Sequence, residues 1–340
     1  MLSAVKAAAA VLALASVITG TAEAVPALLT EPVKLSFAAQ EIGTASYNYT
    51  AVLGSVLIKG LPQGSDISIS SKSPGSVGSP QLVAAGQCDL VLSNAAPVKW
   101  AVETGIDGQP PVQNVASLGG GLGHDFISVM ATKKFVDATR ITSLEELVEK
   151  KYPVKLVIKK DGSLGEMSAE LVLQVLGVSF DDIRSWGGDV LKTGSYGIKA
   201  ALADDFYEMT IDHIGAGQEN TTKLCEEHDM VSFQLADKTL EKMVDMGYDY
   251  VTVEPDTWKG QPRAIRTVGS QQVLLVSTSM DDAVAYSLTK ALCERSLDLG
   301  EAVRALKYFD PRRAGKKVVN GIALHPGAKA YYEERGWDVD

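Results

Sequence analysis

Apolar runs of strand length alternate with helix-patterned stretches along this chain, and the alternation starts again before the first set is complete. Residues 33–38, 67–70, 90–92 and 126–131 read as strands of one set. A loop over 40–47 leads into a helix through Leu57, and a second helix ends near Ala85-Gly86. Strands and helices in alternation predict an α/β protein with largely parallel sheets. The pattern restarts at Ser143-Leu144-Glu145-Glu146 and Ser163-Leu164-Gly165-Glu166, both with capping-box spacing. Strands over 154–158 and 209–214 belong to this second set, with a helix between them that carries Met167, Leu171 and Val175 on one face and stops at Gly177. Residues 273–276 read as a strand returning to the first set, followed by a helix around 283–292. His325-Pro326-Gly327 opens the last helix with proline at an early position.

A set of elements placed inside another implies two chain crossings, expected near 131–135 and 262–269. The expected division is residues 25–131 and 265–340 in lobe I and 132–264 in lobe II. The length of 340 residues agrees, since single cores stop growing at about 250–300 residues. Two lobes joined by two strands make a hinge, and the cleft between them suits a small ligand.

Residues 1–24 read as a secretory signal peptide: Lys6 near the start, an uncharged apolar run over 7–18, and Ala22-Glu23-Ala24 before the cleavage point. That run is too short to span a membrane, which takes about 20 residues. The expectation is therefore export to the periplasm with no membrane insertion after cleavage. A net charge of −10 without a basic stripe argues against a nucleic-acid partner and against anionic lipid. It leaves an anionic small ligand open, because main-chain N–H groups bind anions whatever the overall charge. Three cysteines in a chain this long place stability in the core. Cys88 reads as a buried small hydrophobe, and a Cys225–Cys293 disulfide stays open.

Polar turns recur at the expected strand ends. Thr44, Ser46, Tyr47 and Tyr49 lie between a strand and a helix, where unpaired N–H groups and a positive dipole end face outward. Ser76, then Ser93-Asn94, then Ser163 with Glu166, then Gly217-Gln218 occupy equivalent places. Each is also an ordinary turn composition; together, divided between two lobes, they describe a ligand cleft at the carboxyl ends of the strands. Glu166 has two readings, a carboxylate facing the cleft or the returning half of a capping box; either Glu166 or Glu219, facing the cleft, would favour a cationic group such as an α-amine on the ligand over a plain dicarboxylate.

Catalytic and cofactor patterns are thin. Gly119–Gly123 precedes a strand, so it is not a dinucleotide loop. The four histidines lack metal-ligand spacing, Cys225-Glu226-Glu227-His228 supplies too few ligands, and His124-Asp125 has no nucleophile elbow beside it. No cofactor, metal or enzymatic activity is expected.

The segments Gly43-Thr44-Ala45-Ser46 with Tyr49, Gly75-Ser76-Val77, Leu82 through Leu90, and Leu324-His325-Pro326-Gly327-Ala328-Lys329-Ala330-Tyr331-Tyr332 resemble the TAXI group of solute receptors that serve TRAP transporters. Ile211-Asp212 and the following turn sit where that family has a comparable strand and turn. The resemblance implies a type II periplasmic-binding-protein fold, a small organic acid, glutamate-like amino acid or dicarboxylate held between the lobes, and delivery to TRAP membrane subunits. By position it implies ligand contacts from Thr44, Ser46, Tyr49, Ser76 and Ser93, with Ser163 and Gly217 closing from the second lobe. Tyr47-Asn48 departs from the family pattern and would narrow the pocket. The rivals are a receptor for an ABC importer, a periplasmic sensor module and, behind these, an exported enzyme.

Overall fold

The computed structural model describes residues 26, 29–40, 42, 44–123 and 125–339. The expected signal peptide, Gly43 and His124 lie outside the described residues. Among the described residues twelve strands follow in chain order: β1 (Lys34–Ala38), β2 (Asp66–Ser70), β3 (Leu90–Asn94), β4 (Val115–Gly120), β5 (Asp125–Thr132), β6 (Lys155–Lys159), β7 (Asp189–Thr193), β8 (Met209–Gly215), β9 (Met230–Ser232), β10 (Asp249–Val253), β11 (Ile265–Gly269) and β12 (Gln272–Ser277). They form two five-stranded sheets, ordered β2-β1-β3-β12-β4 and β7-β6-β8-β5-β9, and a two-stranded ribbon of β10 and β11.

The two sheets repeat one plan. In each, the second strand lies outside the first, the third lies inside, and an antiparallel strand from elsewhere in the chain separates third from fourth. That strand is β12 in the first sheet and β5 in the second. Each sheet is covered on both faces, and the side-chain alternation of a strand shows it. Phe37, Leu90, Leu92 and Leu274 enter one apolar cluster with helices Ala45–Leu57, Asp282–Glu294 and Pro326–Glu334. Their neighbours Ala38, Val91, Val273 and Leu275 enter another with Val83 and Val98. Such doubly covered strands read as continuous apolar runs.

Several expectations change. The strand over 126–131, read as part of the first set, is β5 and pairs with β8 and β9 in the second sheet. The chain therefore passes between sheets at 121–124 and again at 270–271, not at 131–135 and 262–269. Residues 119–123 are not wholly loop, since Gly119 and Gly120 end β4. On helix Leu164–Val175 the buried face holds Leu164, Ser168, Ala169, Val172 and Leu173, whereas Met167, Leu171 and Val175 are half-buried beside it. Cys88, Cys225 and Cys293 are free and buried, and the last two lie in separate cores. A complete capping box stands at Ser179 and Asp182.

The terminal His325-Pro326-Gly327 has a packing explanation. His325 is fully buried and caps helix Pro326–Glu334 by accepting from the Gly327 N–H at Nδ1 (3.2 Å). Gly327 lies so close to helix Asp282–Glu294 that a Cβ would stand 2.1 Å from the Asp282 carbonyl oxygen. Gly327→Ala should therefore push these helices apart and cost about 2 kcal/mol, read as a lower urea midpoint with unchanged slope.

Candidate functional site

The crossings fix where the two sheets face each other. Asn94, the last residue of β3, is paired with Gln272, the first of β12. Gly215, the last of β8, is paired with Asp125, the first of β5. Both connections thus run between carboxyl edges, and they hold together: the Leu122 N–H donates to the Gln272 carbonyl (3.0 Å). Ligands of open α/β sheets bind outside such edges.

Three of the expected first-lobe residues form one network here. Ser93 Oγ donates to the Ser76 carbonyl (2.7 Å), and Ser76 Oγ donates to Asn94 Oδ1 (2.5 Å). Asn94 Nδ2 donates to the Ser270 carbonyl (2.5 Å) and lies 3.5 Å from Asp125 Oδ2. Gln272 Nε2 donates to the same Asp125 oxygen (2.9 Å). Ser270 is held from both sides. Its Oγ accepts from the Ala96 N–H (2.8 Å), and its N–H donates to Nε2 of His213 on β8 (3.1 Å). Accepting at Nε2 requires an unprotonated imidazole nitrogen, and burial favours that form, holding the His213 pKa down to about 4. Tyr49, packed against the first core, has its hydroxyl pushed up to about 12 by burial and then by the Asp125 charge. It stays a donor at neutral pH.

Thr44, Ser46 and Tyr47 stand at the start of helix Ala45–Leu57. Thr44 is its N-cap and accepts from the Tyr47 N–H (3.1 Å), while the Ser46 carbonyl accepts from Thr50. Ser163 likewise caps helix Leu164–Val175, accepting from the Glu166 N–H (3.1 Å). The Glu166 carboxylate does not close that capping box; it pairs with Lys192 Nζ at 2.9 Å. Lys192 also reaches Asp161 (2.5 Å). Glu219 is an exposed partner of Lys223 (2.6 Å). Gly217 adopts φ +81° in the turn, and Gln218 caps the next helix by accepting from the Thr221 N–H (2.7 Å).

Sequence reading missed the ionic centre of the second sheet. Lys159, at the carboxyl end of β6, donates to Ser195 Oγ (2.6 Å) and lies 3.3 Å from the buried Asp212 of β8. Burial raises the Asp212 pKa against the pull of Lys159. Asp212 also helps to floor a small pocket with Ser128 and Thr210, walled by Ser195 and Gln218, and the Thr210 hydroxyl is buried without a hydrogen-bond partner. The only sequence signal for Lys159 was its place directly after a strand.

Residues 37–336 match the model of the NMT1-like family. Among solved structures, MatC from Rhodopseudomonas palustris with bound malate is similar at a TM-score of 0.52 and 13% identity, covering 88% of this chain and 98% of that one. PhnD1 from Prochlorococcus marinus in complex with methylphosphonate gives 0.52 at 10% identity, with 81% and 90% covered. A structure described as a periplasmic transporter gives 0.51 at 12%, with 91% and 99% covered. At these identities the likeness concerns the fold.

Proposed function

The chain belongs to the NMT1-like family, and from that footing we propose that it is an extracytoplasmic solute receptor that holds a small polar organic acid or amino acid between two lobes. The observation that carries the reading is the meeting of two matched sheets at their carboxyl edges, joined by adjacent crossings and furnished with hydroxyl, amide and charged side chains from both. On this reading the lobes divide at 121–124 and 270–271. A solute touching both edges favours closure, because only the closed form offers both sets of contacts at once. The segments shared with TAXI receptors support a TRAP permease as the partner, with Thr44, Ser46, Tyr47 and Tyr49 lining the first-lobe side and Ser163, Gly217 and Gln218 the second. Ser76, Ser93 and Asn94 act on the solute through the crossing that they position.

The test is a thermal-shift screen of the exported chain over amino acids, dicarboxylates and keto acids. A true solute at 100 times its dissociation constant should add about 2.7 kcal/mol of stability, a displacement easily read on melting. No displacement across all three classes would remove the receptor reading. Reconstituted vesicles carrying the TRAP membrane subunits then identify the transporter: solute uptake should require the receptor and proceed without ATP.

A further inference from the structure

Among the described residues at the facing edges, one buried carboxylate lacks an ion-pair partner. Lys159 is matched by Asp212, and Lys192 by Glu166 and Asp161. Asp125, only 9% exposed, has no counter-ion among the described residues. Its partners are two neutral side-chain amides, from Gln272 at 2.9 Å and Asn94 at 3.5 Å, and both reach the same oxygen, Oδ2. Among the described residues, the Tyr49 hydroxyl and the His213 ring feel its charge, and neither carries a positive charge at neutral pH. A carboxylate so far removed from water without a cation is costly. It stands at the first residue of β5, where the chain has just crossed between the sheets. Its amide partners come from the first sheet and its backbone belongs to the second.

We propose that Asp125 is the ammonium-binding residue of this receptor, and that the solute is an amine-bearing organic acid and not a plain dicarboxylate. The inference rests on the receptor reading above. A protonated amine from the solute would complete the missing ion pair with a charge-assisted hydrogen bond, stronger than a neutral one. The Tyr49 hydroxyl, on the helix whose start bears Thr44 and Ser46, feels the Asp125 charge. A solute without an amine leaves Asp125 uncompensated on closure and adds its own negative charge to the cleft. Selectivity then has a repulsive component as well as an attractive one. Glu166 and Glu219, the carboxylates that the sequence suggested for an amine, are both occupied by lysines.

Calorimetric titration of the exported chain with matched pairs tests this: L-glutamate against glutarate, and L-aspartate against succinate. The amine-bearing member of at least one pair should bind ten-fold or more tightly than its partner. Asp125→Asn, nearly identical in shape, should lose at least ten-fold on that amino acid and nothing on the diacid, with an unliganded melting temperature at or above the parent's. Asp125→Glu, which keeps the charge, should retain the preference for the amine even if both affinities fall. A parent that prefers the diacids overturns the inference, as does an Asp125→Asn variant that weakens both members equally; either leaves the receptor reading standing. Binding of none of these probes, alongside a silent thermal screen, would remove both readings together.

Discussion

Trp100→Ala should lower the stability of this protein by about 3 kcal/mol and split its unfolding into two resolved transitions. Trp100 is carried on helix Ala95–Glu103, which leaves the carboxyl end of β3 beside the crossing at Ser270. Its indole N–H donates to the Met246 carbonyl (2.6 Å), and its ring lies 5.5 Å from that of Tyr248, centroid to centroid. Both partners belong to the apolar body built around the second sheet, so one side chain of the first body is seated in the second. Met167 makes the reciprocal contact, packing from the second body near Val77, Ala101 and Ile106. Removing the indole takes away burial and leaves a half-buried carbonyl without its donor. One contact that couples the two bodies outside the crossings is then lost, and cooperativity should fall with it. Trp100→Phe keeps a ring against Tyr248 and should cost about 1 kcal/mol, the lost hydrogen bond alone. Scanning calorimetry of the three proteins decides the matter. A single sharp transition at the parental temperature for Trp100→Ala would mean that the indole merely rests on the second body.

Much of this architecture is written in the sequence because strands covered on both faces must be apolar at nearly every position. Residues 33–38, 90–92, 209–214 and 273–276 were legible for that reason, and β1, β3, β8 and β12 occupy those places. The same property hides sheet membership. β5 is buried along its whole length, and nothing in a strand buried on both faces says which sheet it will join. β4 was obscured for a different reason, since it ends in two glycines that resemble a turn. They are present for close packing: a Cβ on Gly120 would stand 2.0 Å from the Val319 carbonyl, and one on Gly119 would stand 2.5 Å from the Tyr332 hydroxyl. At the site, the hydroxyl-rich turns could be found, but their partners could not. Asn94 meets Ser270 across 176 positions. Glu166 shows the limit most clearly. Local spacing offered it the Ser163 backbone, and Lys192, 26 residues further on, took it instead. A local rule cannot anticipate a cation delivered by the next strand of the sheet.

His213 should give the protein a steep acid limb that His213→Gln flattens. The imidazole ordinarily titrates near 6.5, and burial lowers its folded value to about 4, with the nearby Asp125 charge opposing and Lys159 assisting. The unfolded chain therefore binds the proton first. The stability that comes from keeping this ring neutral is complete above pH 6.5 or so, and is lost as pH falls from there through about 4. At 1.36 kcal/mol per pH unit the full loss is on the order of 3 kcal/mol. His325, also depressed by burial, works in the same direction, so the variant should remove only the His213 share. Glutamine keeps an oxygen able to accept the Ser270 N–H, which separates the titration from the hydrogen bond. Urea titrations between pH 7.5 and 4.5 should show the two proteins converging in stability as the pH drops. Parallel curves would mean that the ring is protonated as readily folded as unfolded. Because the neutral nitrogen holds Ser270 at the second crossing, protonation acts where the two sheets are joined. Acid should therefore loosen the joint before it melts either core, and amide exchange at Ser270 should rise ahead of exchange in β3 and β8.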